Sequence, residues 1–421
     1  MDRCNVREQT RSSTGVETAA LAGAGRRRSE ADLVLSDVFR YLGSMPESTV
    51  VIVGGGASGL SAAGALGRRG IKSVILEADK ELGGTWARRY DRLYLHTVRG
   101  FSGLAHYAIP RSYSKYLSRD EFVAYLAEYA RHLDLSVVTG CPVQKVRIES
   151  DRPSLWTAVT ARGDWHCRAI VIATGQYRVP ILPNWATRET YSGDLVHSSH
   201  YTSGLSYRGK RVLVVGAGNS GTEIATDLAE QGAARVALSI RTPPPIVPRD
   251  PFGMPVQRTG IMLSFLPAAV ADRFARFTAR VVLGDLTRHG LRKPQWMPYS
   301  ARRVPVIDVG FVKALKERKV EIRPALARLS ATGAVFEDGS TEPFDVIVAA
   351  TGFSTGLNAL LEAKEVLDDS GEPVEQSGEP TARPGLFFIG YTHSLRGHLF
   401  EANLASRRLA RNVERYLQRT A

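Results

Sequence analysis

Apolar residues fall along this chain in two kinds of run. One kind is short and unbroken: "VVIV" at 50–53 and "VLVV" at 212–215 are each four β-favouring residues in a row. Such runs, bounded by glycine, predict strands buried on both faces, as in a parallel sheet. The other kind has helical spacing and follows directly, from Ala57 and from Asn219 onward, after a glycine cluster. "VVIVGGGASGLSAA" (50–63) and "VLVVGAGNSGTEIA" (212–225) are thus two copies of one strand–turn–helix pattern. Each leads to a later apolar run ending in Ala-Thr-Gly, "IVIATG" at 170–175 and "VIVAATG" at 346–352. Upstream, residues 1–28 are polar and read as a tail. The spacing of Leu33, Leu35, Val38, Phe39 and Leu42 predicts a helix over Ser29–Leu42, with Ser29 as a candidate N-cap. Charges inside that helix argue against a signal peptide.

The repeat predicts an α/β fold with two dinucleotide-binding, Rossmann-like units. The turn explains why. In the first copy Gly54 makes the bend, Gly56 lets a pyrophosphate approach the backbone, and Gly59 lets helix and strand pack closely. Gly216, Gly218 and Gly221 take the same parts in the second. The helix N-terminus then offers free N–H groups to phosphate.

A charged residue near the end of the second strand reads the ribose. Glu77 stands 23 positions after Gly54 and suits the free ribose hydroxyls of FAD or NAD. The same count from Gly216 lands on Ser239, with Arg241 two further on. The acid is missing there and a guanidinium has arrived, which suits a 2′-phosphate. One unit is therefore expected to hold a flavin dinucleotide and the other NADPH.

Composition narrows this picture little. The 421 residues carry a net charge of +13, and no basic block has the aromatic interleaving of a nucleic-acid surface. We read the charge as arginine-rich composition and expect no nucleic-acid partner. No run approaches the ~18 apolar residues of a membrane span, and no membrane partner is expected. The three cysteines (Cys4, Cys141, Cys167) are odd in number and contain no C-x-x-C. That argues against a disulfide framework, a metal site or a dithiol centre, and fits a cytoplasmic setting.

Further stretches resemble a known family. "YSGDLVHSSHY" (191–201) has the spacing [F/Y]-x-G-x-x-x-H-x-x-x-[F/Y], similar to the fingerprint of class B flavin-dependent monooxygenases, with Tyr191 in place of the usual Phe. "YDRLYLH" (90–96), "VPRDPFG" (247–253), "LGDLTRHGLRKP" (283–294) and "VPVIDVG" (304–310) resemble the YUCCA-like indole-3-pyruvate monooxygenase subgroup. The resemblance spans about 48–415. It implies an N-terminal extension over 1–47 and an NADPH domain (179–350) inserted into a discontinuous FAD domain (48–178 and 351–421). It also implies that NADPH reduces FAD, that O₂ adds to the flavin as a C4a-(hydro)peroxide, and that NADP⁺ stays bound to shield it. Gly84, Thr85 and Trp86 match the "GGTW" element along the flavin. Thr174–Gly175 and Thr351–Gly352 match the hinge strands. His197 sits in the fingerprint and organises the inter-domain linker or else is a capping or core histidine, and His96 is a candidate to hydrogen-bond the peroxyflavin or NADP⁺ or else a core histidine. Asn219, in "GAGNSG", is a candidate to hydrogen-bond NADP⁺ or the flavin adduct, or else a helix cap. The substrate is expected to be a small ketone or 2-oxo acid, with N- or S-oxygenation of an amine or thioether as the alternative. A flavin reductase that passes electrons to a partner, and an NADPH sensor without oxygen chemistry, remain open.

Overall fold

The computed structural model describes residues 50–151, 154–185 and 191–420; the helix expected over 29–42 lies outside them. Along the chain, strand β1 (Val50–Val53) is followed by helix α1 (Ala57–Gly67), β2 (Ser73–Leu76), α2 (Arg119–His132), β3 (Ser136–Val138) and β4 (Ala169–Ile172). Then come β5 (Asp194–His197), β6 (Arg211–Val215), α3 (Asn219–Glu230) and β7 (Arg235–Ser239). A helical hairpin follows, α4 (Val256–Leu263) and α5 (Ala268–Leu283), before β8 (Glu321–Arg323) and β9 (Val346–Ala349). The chain closes with β10 (Leu386–Phe388) and α6 (His398–Arg419).

These strands build two parallel sheets of the same order: β3-β2-β1-β4-β10 and β8-β7-β6-β9-β5. Each unit carries a three-stranded antiparallel meander, 143–167 between β3 and β4 in one and 326–343 between β8 and β9 in the other. The repeat is therefore deeper than the two glycine turns. The two edge strands differ in origin: β5 opens the second unit in chain order, whereas β10 closes the first unit after the second is complete.

Val50, Val51 and Ile52 are fully buried, so β1 needs apolar residues on both faces. Helix α1 is rich in Ala, Gly and Ser because neighbours approach it closely. A Cβ at Gly64 would lie 2.2 Å from the Tyr129 hydroxyl of α2, and Ser61 bonds Ser406 of α6 at 2.9 Å. The chain crosses between units twice, and the crossings pair as a short antiparallel ribbon, Val179–Pro180 against Phe353–Ser354.

One stretch of the first segment packs against the second unit. Tyr90 is in the core of the second unit, with Val212, Val214 and Ile224, and Leu93 packs against it. Segment 90–96 thus bridges the units: Tyr90 and Leu93 pack on the second, while Leu95 stays in the core of the first and bonds the Leu117 carbonyl.

Candidate active-site cleft

The two turns share one geometry. At Gly54 φ is +109°, and a Cβ would lie 2.7 Å from the Ala173 carbonyl oxygen. At Gly216 φ is +110°, and the Cβ would lie 2.4 Å from the Ala350 oxygen. Only glycine fits either place. A Cβ at Gly59 would fall 1.9 Å from the Gly54 oxygen, and one at Gly221 would fall 1.8 Å from the Gly216 oxygen, so each helix presses on its own turn. Gly56 and Gly218 are the opposite case: a Cβ on either would meet nothing within 4 Å. They are the N-caps of α1 and α3, with no side chain capping the helix. Uncapped N–H groups with open space before them suit an anion.

Both helix starts open on one cleft of about 830 Å³. Of the residues singled out from sequence, Gly54, Gly56, Glu77, Gly84, Thr85, Trp86, His96, Thr174, Gly175, Gly218, Asn219, Gly221 and Gly352 line it. Gly59 and Gly216 act behind it, through packing. His197, Ser239, Arg241 and Thr351 lie off its wall. Three buried polar atoms of lining residues have no protein partner: Gln176 Oε1, Thr278 Oγ1 and His398 Nδ1. Buried polar atoms are normally paired, so the wall is built for a polar occupant.

Glu77 borders the cleft and accepts the N–H groups of Gly55 (2.5 Å) and Asp79 (2.8 Å). It fixes the turn while keeping a carboxylate beside it. The matching position in the second unit is not Ser239. Gly54 donates to the Leu76 carbonyl and Gly216 to the Ser239 carbonyl, so Ser239 corresponds to Leu76, and Ile240 corresponds to Glu77. The link from helix to strand is one residue longer there, which the count of 23 missed. The Ser239 side chain is buried and donates to the Pro324 carbonyl at 2.7 Å. Arg241 is exposed at the strand end, and Arg292, which the sequence reading passed over, donates to its carbonyl at 3.3 Å.

Asn219 does not cap its helix, whose N-cap is Gly218, and it lines the cleft. Its Oδ1 accepts the Ile307 N–H at 2.8 Å and its amide nitrogen faces the Pro305 carbonyl at 3.4 Å. It ties the start of α3 to segment 305–307. His96 lies 2.6 Å through Nε2 from Oε1 of Glu223, a buried carboxylate one turn along α3. Tyr90 hydrogen-bonds the same carboxylate and Ser220, and burial raises its pKa well above the usual tyrosine value. Sequence reasoning missed Glu223 because a Glu inside a helix carries no motif; only the fold brings 96 and 223 together.

His197, at the end of β5, accepts the Ser199 N–H on Nδ1 and donates from Nε2 to the Gly352 carbonyl. Burial lowers its pKa, which favours this neutral tautomer. It binds the returning hinge strand and does not reach the cleft. Thr351 donates to the Ile181 carbonyl at 2.5 Å, also within the crossing. Thr174 pairs with the Tyr391 hydroxyl at 2.9 Å. Trp86 packs edge-on against Phe122, its ring centroid 4.7 Å away. Gln257 of α4 accepts the Val98 N–H and donates to the Arg396 carbonyl, so the hairpin closes over the cleft. Cys141 and Cys167 are buried, and burial pushes the Cys167 thiol up to about 12.

Two dinucleotide-type units facing a shared cleft define the class. The chain belongs to the flavin-binding monooxygenase-like family, whose family model matches residues 47–413. That makes it a flavin-dependent monooxygenase by family. It is 31% identical over 379 residues, 86% of each chain, to the probable indole-3-pyruvate monooxygenase YUCCA3 of Arabidopsis thaliana. It is 34% identical over 351 residues, 81% of this chain and 86% of the relative, to the indole-3-pyruvate monooxygenase YUCCA1 of Oryza sativa subsp. japonica. Among solved structures it resembles a flavin-containing monooxygenase from Stenotrophomonas maltophilia, at 27% identity and a TM-score of 0.67, covering 88% of this chain and 99% of that one. An oxidised steroid monooxygenase bound to NADP, at 20% identity and a TM-score of 0.67, covering 86% of this chain and 85% of that one, shares the fold.

Proposed function

We propose that this protein is an NADPH- and O₂-dependent monooxygenase of a small ketone or 2-oxo acid, with FAD on the β1–α1 turn and NADPH on the β6–α3 turn. The observation that carries this reading is the pair of matching, uncapped turns on separate sheets, both opening on one cleft. When bound, the flavin accepts hydride and activates oxygen, which is chemistry no side chain here can supply.

The residues have the remaining work. Gly56 and the start of α1 receive one pyrophosphate, and Gly218 and the start of α3 the other. Glu77 accepts from ribose hydroxyls. Arg241, with Arg292 beside it, holds the 2′-phosphate. His96, Glu223 and Tyr90 form a proton-holding group on the cleft wall, in which Tyr90 stays protonated and donates. Gln257 and the helical hairpin cover the cleft and limit water. The indole-3-pyruvate monooxygenase names of the relatives favour a 2-oxo acid over an amine or thioether.

The test is to purify the yellow protein, add NADPH in air, and offer 2-oxo acid, ketone, amine and thioether panels under ¹⁸O₂ with mass-spectrometric detection. One ¹⁸O atom in a product of the first two classes supports the reading. Label only in amine or thioether products reassigns the substrate class. NADPH consumption that yields only H₂O₂ across all panels overturns it in favour of a reductase.

A further inference from the structure

The hairpin α4–α5 presents an apolar surface that nothing among the described residues covers. Val270, Phe274, Phe277 and Val281 follow the 4-3-4 spacing of one helix face, and all are exposed. Phe265, in the link between the helices, is 81% exposed, Phe277 is 64% and Met262 is 61%. Large apolar side chains grouped this way mark a docking surface. Arg273, Arg276 and Arg280 run along one flank of the stripe at 3-4 spacing, and all three are exposed. Of the two nearby acids, Asp285 lies within electrostatic reach of the row, at its Arg280 end. Asp272 is buried and accepts the Tyr299 and Ser300 N–H groups, and Asp285 accepts from Thr287.

We propose that this hairpin docks the protein on an anionic lipid surface, with the stripe in the headgroup region and the three guanidinium groups on lipid phosphates and carboxylates. An apolar face bordered by cations is the composition of an interfacial helix. The net charge of +13 favours the same surface. No helix among the described residues is long and apolar enough to cross a membrane, so the hairpin would lie on the lipid. A second copy is a poorer occupant. In a two-fold antiparallel pairing of the stripe, the arginine flank of one helix faces that of the other, and like charges oppose the contact. Docking would also set the cleft near the lipid, because Phe274 belongs to the exposed stripe and to the cleft lining, which Ala275 and Thr278 continue.

The test uses the full chain with its flavin, co-sedimented with vesicles of phosphatidylcholine alone or mixed with phosphatidylglycerol. Binding is expected to the mixed vesicles and to weaken with salt. Replacing the three arginines by Gln should lower the partition roughly a hundredfold, at about 1 kcal/mol per cation. Phe265→Ser with Phe277→Ser should abolish it. Flavin absorbance and Tm serve as folding controls, since these side chains are exposed. Absence of binding to the mixed vesicles overturns the proposal, as does binding that survives in folded variants. A dimer of the chain that these same substitutions dissociate, without vesicle binding, also overturns it and assigns the face to a second copy.

Discussion

At the scale of single residues, the glycines of the two turns divide by what lies beyond their Cα. Gly59 and Gly221 face backbone, so Gly59→Ala should force the helix off its turn and cost about 1–3 kcal/mol. Gly56 faces open space, so Gly56→Val should clash with no protein atom and leave the protein folded but colourless, with a Tm lowered to that of the flavin-free wild type. Gly218→Val should give a yellow protein that NADPH fails to reduce. Exchange of the two phenotypes would reverse the assignment of the dinucleotides, and can be read from absorbance alone. Arg241 allows a second separation. Losing a charge-assisted contact should raise KM for NADPH roughly tenfold to a hundredfold in Arg241→Ala and leave NADH nearly unaffected. Arg292→Ala should follow the same pattern more weakly. Equal effects on both nucleotides would remove these arginines from the 2′-phosphate.

At the scale of elements, the strands, turns and first helices of both units were legible, because burial on both faces and the tight bends leave marks on consecutive residues. What depends on the link between elements was not. One extra residue between α3 and β7 moved the ribose position from Ser239 to Ile240, and no local signal announces such an insertion. The cap reading of Asn219 fails because the cap is Gly218, and the bond of Asn219 to the backbone of residue 307, far along the chain, carries no local signal. The exposed stripe of the hairpin was not singled out from sequence, because a search for a spanning run does not register helical apolar spacing. The start of α6 carries a pH prediction. His398 is in its first turn, where the helix dipole disfavours a cation, and burial lowers its pKa. Burial lowers the pKa values of His393 and His197 too. A histidine with a depressed folded pKa takes up its proton in the unfolded chain first. Stability is therefore full above about pH 6.5 and falls as pH drops below it. His398→Gln should flatten the fall of Tm between about pH 7 and pH 5. A slope unchanged in a folded variant would discharge His398 from this role.

At the scale of the whole molecule, several polar ties join the two units, among them Lys115 and Tyr116 on Asp250 and Gln257 on the backbone of residues 98 and 396. Arg92 pairs with Glu230 and His96 with Glu223, both from the segment that bridges the units. The first pair is half exposed at Glu230 and should contribute little. The second is different, because Glu223 is 5% exposed and has no guanidinium or ammonium within reach among its described partners. Its side chain meets the His96 imidazole and the Tyr90 phenol. A merely structural tie would lower Tm on substitution and leave the chemistry in proportion. A proton-holding group should do more: Glu223→Gln and His96→Gln should each keep NADPH-driven flavin reduction near its original rate, lower the ratio of product to NADPH consumed, and shift the pH profile of that ratio. Because each residue acts through the other, the double variant should be little worse than either single one, a coupling of about 0.5–3 kcal/mol in the cycle. Additive losses, or a ratio that stays constant while Tm falls, would reduce the pair to a tie between the units. Measuring the ratio, its pH dependence and Tm on the same four proteins decides between the two.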